Sequence, residues 1–131
     1  MRKILVGYDG SGASKDATNT ARKYAAALEA KVDIVTSMVR GTEGEQEEIM
    51  QAERGLEYAK SLFTTENIAC ETHLLIRGLA PGEDLVRFAK ENDVDLMVVG
   101  VKRRSKVGKL LMGSTAQFVI IKAPCPVLSI K

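Results

Sequence analysis

Asp95-Leu96-Met97-Val98-Val99-Gly100 is a run of apolar side chains without the polar alternation of a half-exposed strand. Such a strand is covered on both faces and belongs in the middle of a sheet. Lys3-Ile4-Leu5-Val6-Gly7-Tyr8 is a second run of this kind, and Asp9-Gly10-Ser11-Gly12 closes it as a tight turn. Val32 to Val39, β-branched in content, and Cys70 to Ile76, alternating loosely through Cys70, Thr72, Leu74 and Ile76, supply two more strands. Val127 to Ile130, opened by Pro124-Cys125-Pro126, is the last and shortest.

Helical patterns fill the intervals. Ser11 or Ser14 caps the first, whose apolar stripe is Ala17, Ala21, Tyr24, Ala25 and Leu28. The acidic, Gly-containing stretch Arg40 to Glu48 carries too little apolar surface for a core and reads as a loop, overlapping a helix from about Glu45 to Thr64. That helix is carried by Ile49, Ala52, Leu56, Ala59 and Phe63. Pro81 starts the next, where a missing amide proton costs nothing, with Leu85, Phe88 and Ala89 on its inner face. A basic loop then leads to Gly113-Ser114 and a short helix to about Lys122. Apolar strands alternating with helices imply a parallel sheet covered on both faces, a doubly wound α/β domain spanning 1–131. Folds of this kind bind ligands beyond the carboxyl ends of their strands, where strand order reverses.

With 131 residues, 45% of them hydrophobic, folding buries roughly two thirds of the unfolded chain's surface, and neither metal nor disulfide is needed. Cys70 and Cys125, far apart and outside any CxxC or Cys/His cluster, read as reduced buried thiols of a cytosolic protein. Strand-like residues follow directly on Met1-Arg2-Lys3 and no apolar run is long enough to span a bilayer, so neither leader nor membrane span is expected. The net charge of +2 argues against a chain built to wrap nucleic acid, yet it averages two unlike regions. Lys102, Arg103, Arg104, Lys106 and Lys109 fall in one stretch without an acid, and the rest of the chain is mildly acidic. Read alone this is a solvated loop; at the end of the fourth strand it also marks where an anion is sought.

Several catalytic patterns fail. GxGxxG from Gly10 would need Gly at Lys15, and GxxxxGK[ST] fails because Leu110 follows Lys109. Gly12-Ala13-Ser14 is no nucleophile elbow, and His73, the single histidine, has no Ser or Cys nucleophile beside it in sequence and reads as a structural or surface imidazole. What remains is anion chemistry. Ser114 is a good helix N-cap, and the amides of Thr115, Ala116 and Gln117 at that helix start, aided by the dipole, make a small phosphate site. Taken singly, Gly100 ends a strand, Gly113-Ser114 caps a helix and Asp9-Gly10 makes a turn.

Taken together, Ile4-Leu5-Val6-Gly7-Tyr8-Asp9-Gly10-Ser11, the stretch from Val98 to Ala116, and Ala123-Pro124-Cys125-Pro126-Val127-Leu128 resemble the universal stress protein family over essentially the whole chain. The resemblance implies a Rossmann-like, adenine nucleotide alpha hydrolase-like sheet of five parallel strands in the order 3-2-1-4-5. In nucleotide-binding members the loop reads G-x2-G-x9-G-[S/T]; this chain keeps Gly100, Gly113 and Ser114 but has Arg103 at the second glycine. Arg103 loses a glycine's backbone freedom and offers its guanidinium to phosphate oxygens. The family's pattern implies that Asp9 meets ribose hydroxyls and that Gly7, Tyr8, Ser37 and Val99 line an adenine pocket. Tyr8, bulkier than the usual occupant, either stacks on the base or crowds it out.

The function so implied is a cytoplasmic, nucleotide-responsive stress regulator that binds ATP or another adenine nucleotide and acts through partner choice. No general base is evident, so at most slow ATP hydrolysis is expected, with Mg²⁺ only alongside ATP and Asp9 the acid nearest to hold it. A homodimer is expected through Val127, Leu128, Ser129 and Ile130, an exposed apolar edge strand by which relatives of this family pair. The alternative is a non-nucleotide member, a dimeric interaction module whose basic loop meets an acidic partner or another phosphorylated ligand. Nucleic acid is a weaker choice, for few aromatics lie near the loop to stack bases.

Overall fold

The computed structural model describes residues 2–39, 45–101 and 112–131. The elements in chain order are β1 (Lys3–Gly7), α1 (Gly12–Leu28), β2 (Lys31–Ser37), α2 (Glu45–Thr64), β3 (Cys70–Leu75), α3 (Pro81–Glu91), β4 (Leu96–Gly100), α4 (Ser114–Lys122) and β5 (Val127–Ile130). All pairings are parallel and the order is β3-β2-β1-β4-β5, as the sequence led us to expect. Val6 of β1 aligns with Ile34 of β2 on one side and Val98 of β4 on the other, so β1 and β4 lie inside the sheet. Strand order reverses there, and the carboxyl ends of β1 and β4 diverge into different connections.

Each face of the sheet has its own core because strand side chains alternate. Ile4, Val6, Val32, Ile34 and Val98 pack under α1 and α2 with Ala17, Ala21, Ala25, Leu56, Ala59 and Phe63. Leu5, Val35, Met97 and Val99 pack under α3 and α4 with Leu85, Phe88, Ala89, Ala116 and Val119. The small alanines let α1 lie close to the sheet. Its stripe is narrower than the sequence pattern, however. Tyr24 and Leu28 are exposed, while Ser14 and Thr18 are buried in their place. Those hydroxyls survive burial because each returns a bond to the helix, Thr18 Oγ1 donating to Ser14 O at 2.8 Å and Ser14 Oγ to Ser11 O at 3.0 Å.

Further differences are local. Strand β2 stops at Ser37, short of Val39, and β3 at Leu75, short of Ile76. Glu45 to Glu48 belong to α2 and not to a loop; Glu45, Glu47 and Glu48 sit in its first turn, where the dipole favours acids. The remainder of that expected loop, 40–44, lies outside the described residues. Pro81 occupies the first turn of α3 as expected. Cys70 and Cys125 are free but only half-buried. Burial pushes the Cys70 thiol up to about 11 and raises that of Cys125, so both favour the neutral form. Among the described residues no helix is long and apolar enough to cross a membrane.

Candidate functional site

A cleft of about 390 Å³ opens at the carboxyl end of the sheet, within the range of small-molecule sites. Its wall is assembled from the ends of three strands and the starts of three helices. The end of β1 brings Gly7, Tyr8 and Asp9; β2 brings Val35 and Ser37; β4 brings Val99 and Gly100. The helices add Ser11 and Ser14 from α1, Pro81 and Leu85 from α3, and Gly113 to Ala116 from α4. Thus Gly7, Tyr8, Asp9, Ser37, Val99, Gly100, Gly113, Ser114, Thr115 and Ala116, singled out from sequence, surround one crevice. Arg103 and the other basic-loop residues, Lys102, Arg104, Lys106 and Lys109, lie outside the described residues. Ser11, Ser14, Val35, Pro81 and Leu85 were missed as lining residues, since capping serines and core apolar positions give no separate signal.

The lining of the crevice is of two chemical kinds. Val35, Pro81, Leu85 and Val99 make an apolar slot, kept open beside Gly7 because that residue has no side chain: a Cβ there would stand 3.0 Å from Leu85 Cδ1. The polar part of the lining comes from the amino terminus of α4 together with Ser11 and Ser14. Here the structure shifts one reading by a residue. The N-cap is Gly113, not Ser114, and it makes no side-chain cap bond. The first intrahelical bond is Gln117 N–H to Gly113 O at 3.0 Å, so Gln117 is engaged and the three preceding amides, of Ser114, Thr115 and Ala116, form the anion-seeking turn.

The turn joining β1 to α1 is pinned by its own polar groups. Ser11 N–H donates to Asp9 Oδ1 at 2.9 Å, Ser14 N–H to Ser11 Oγ at 3.2 Å, and Asp9 N–H to Ser14 Oγ at 3.3 Å. Gly10 takes φ +81°, a left-handed conformation that suits glycine. Asp9 is held at the rim and is the one carboxylate among the described lining residues. Tyr8 lines the crevice, but its ring packs in the core beneath α2, with Cε2 3.2 Å from where a Cβ on Gly55 would stand. Burial first, then Tyr58 and Asp9, raise its phenol pKa.

Beside the slot, Ser37 Oγ donates to Asp84 Oδ2 at 2.7 Å, and Arg77 Nε donates to Asp84 Oδ1 at 2.7 Å. Asp84 is wholly buried in the first turn of α3. Sequence reasoning missed this network because its members are distant in the chain and Asp84 looks like an ordinary helix-start acid. A second polar cluster, Asp33, Glu71 and His73, lies toward the opposite end of β2 and β3, its ligand atoms within 4.8 Å of one another. His73 Nε2 is 2.9 Å from Asp33 Oδ1 and Lys31 Nζ is 3.0 Å from Glu71. These carboxylates already have partners, and His73, with Phe88 4.8 Å from its ring, serves packing. At the sheet's edge β5 pairs, among the described residues, with β4 alone; Val127, Leu128 and Ile130 are half-buried, Ser129 is exposed, and Ile121 on nearby α4 is 75% exposed.

A family model described as the universal stress protein family matches residues 1–131. A curated universal stress protein of Thermus aquaticus is 32% identical over 137 residues, which covers 100% of this chain and 99% of that protein. A solved universal stress protein of Archaeoglobus fulgidus superposes with a TM-score of 0.91 at 36% identity, covering 100% of this chain and 99% of the other. A second structure, the universal stress protein from Archaeoglobus fulgidus in complex with dAMP, has a TM-score of 0.84 at 32% identity, with 100% and 98% covered.

Proposed function

The chain belongs to the universal stress protein family, and on that premise we propose that it binds an adenine nucleotide in the crevice between β1 and β4 and signals through the bound state. The observation that carries this reading is that one cleft of about 390 Å³ joins apolar lining residues to a helix amino terminus suited to phosphate. The dAMP complex of a relative 32% identical over the whole chain supports it. Val35, Leu85 and Val99 would sandwich the base, Asp9 would meet ribose hydroxyls, and the amides of Ser114, Thr115 and Ala116 would receive the phosphate. With ATP, Asp9 is the carboxylate that would help hold Mg²⁺. The nucleotide is read as a signal and not as a substrate, any hydrolysis being slow, and the protein as a cytoplasmic stress-response regulator.

Titration with AMP, ADP and ATP tests this, with Ser114→Glu beside the wild type. A glutamate in the first turn of α4 suits the helix dipole and leaves the fold intact, yet it sets a negative charge where phosphate is received. We expect affinity for all three nucleotides to fall about tenfold or more with an unchanged melting temperature. Equal, weak binding by both proteins would move the reading to a non-nucleotide interaction module.

We further propose that two copies pair antiparallel along β5, whose outer edge carries no strand among the described residues. Leu128→Glu should give monomers in sedimentation velocity. Dimers that persist in a folded Leu128→Glu protein would place the contact elsewhere.

A further inference from the structure

Ser37 lines the crevice, and the proton of its hydroxyl is already committed. Asp84 Oδ2 receives that proton at 2.7 Å. The direction of the bond is fixed by what lies behind it: Asp84 is fully buried, and its other oxygen accepts from Arg77 Nε at 2.7 Å. Arg77 is in turn steadied by Glu91 Oε1, 2.8 Å from its Nη1. A carboxylate paired with a guanidinium accepts only, and a hydroxyl has one proton to give. What Ser37 presents to a ligand is therefore oxygen lone pairs, set beside the apolar slot of Val35, Leu85 and Val99.

We propose that Asp84 orients Ser37 as an acceptor-only group and that Ser37 thereby selects a 6-aminopurine over a 6-oxopurine. This rests on the reading that the crevice binds a purine nucleotide. An exocyclic amino group donates to Ser37 Oγ, whereas a 6-oxo group sets one acceptor against another, leaving both without a proton. Ser37 is the specificity-determining residue; Asp84 is a positioning residue that acts through it, and Arg77 fixes Asp84.

The experiment is calorimetric titration with AMP and IMP, which differ at position 6 and in the N1 proton that accompanies it. Wild-type protein should prefer AMP by about tenfold. Ser37→Ala should remove most of that preference, mainly by weakening AMP. Asp84→Asn carries a sharper expectation. Arg77 can only donate, so the asparagine carbonyl turns to Arg77 and its amide to Ser37 Oγ, which frees the hydroxyl proton for the ligand. The preference should then reverse toward IMP. A wild type that binds neither nucleotide overturns the nucleotide reading itself and this inference with it. Equal binding of AMP and IMP by the wild type overturns the inference alone, as does an unaltered preference in Ser37→Ala. If Asp84→Asn folds, as judged by its melting curve, and keeps the wild-type preference, the orienting role of Asp84 is overturned; if it fails to fold, Arg77→Met with Asp84→Leu takes its place, and a kept wild-type preference there overturns the same role.

Discussion

Gly100→Ala is expected to lower the stability of the protein to urea by about 3 kcal/mol, at the upper end of what overpacking costs. A Cβ at that position would lie 2.4 Å from Ala13 O, 2.5 Å from Ala13 C and 2.8 Å from Ala13 Cβ. The first two are backbone atoms of the first turn of α1 and have no rotamer through which to escape. Relief requires α1 to slide outward or the end of β4 to bow, and either motion loosens the crevice where Ser11, Ser14 and Val99 converge. The matched control is Gly12→Ala, on the same turn, where a Cβ meets nothing within 4 Å. That change should leave stability unaltered or raise it by a few tenths of a kcal/mol, about what relief of glycine entropy supplies. Chemical denaturation of the three proteins decides it: equal midpoints for Gly100→Ala and Gly12→Ala would show that the contact with Ala13 is not tight.

Gly100 also shows where sequence reading stops. Its place at the end of an apolar run marks it as a strand terminus and, by family pattern, as part of a ligand loop. Its close approach to α1 is a tertiary fact that pairs it with a residue 87 positions away. The strands themselves were legible because burial on both faces leaves a continuous apolar run, as in Ile4-Leu5-Val6 and Met97-Val98-Val99. The helices were legible in position but less so in face. Alanine spacing in α1 points to the sheet correctly, while Tyr24 and Leu28 extend the same stripe past the edge of the contact and stay exposed. Ser14 and Thr18 take core positions by bonding their own helix, which hydrophobic periodicity does not register.

The site divides in the same way. Asp9, Gly100 and Gly113 to Ala116 left local marks, as a terminal acid, a strand-end glycine and a helix start, whereas Gly7, Tyr8, Ser37 and Val99 were found only through the family's pattern. The one-residue error over the N-cap arose because Gly113 and Ser114 are both acceptable caps, and only the backbone tells which is outside the helix. Leu85 entered the core list but not the site, since an apolar side chain looks alike whether it meets protein or ligand. Ser37, Arg77 and Asp84 come from a strand end, a turn and a helix, and no pattern in the sequence joins them.

The largest side-chain effect is expected from that last group. Arg77→Met should cost about 3 kcal/mol in urea unfolding, because it strands a wholly buried carboxylate with Ser37 as its remaining side-chain partner. The hydrogen bond to Glu91, followed by that to Asp84, raises the Arg77 pKa further, so the guanidinium carries its charge wherever the fold persists. Arg22→Met provides the contrast. Arg22 pairs with Glu66 at 2.8 Å, but the glutamate is exposed, and losing such a pair costs less than about 1 kcal/mol. Replacing both buried partners, as Arg77→Met with Asp84→Leu, should recover most of the stability, since well-packed apolar side chains commonly match a buried ion pair. That recovery separates two roles for the pair. If the double variant regains stability yet binds AMP and IMP alike, the buried charge holds the Ser37 hydroxyl in one orientation and is not needed to hold the fold. If it regains both stability and base preference, the selectivity does not depend on the bond from Ser37 to Asp84, and the orienting role of Asp84 is overturned.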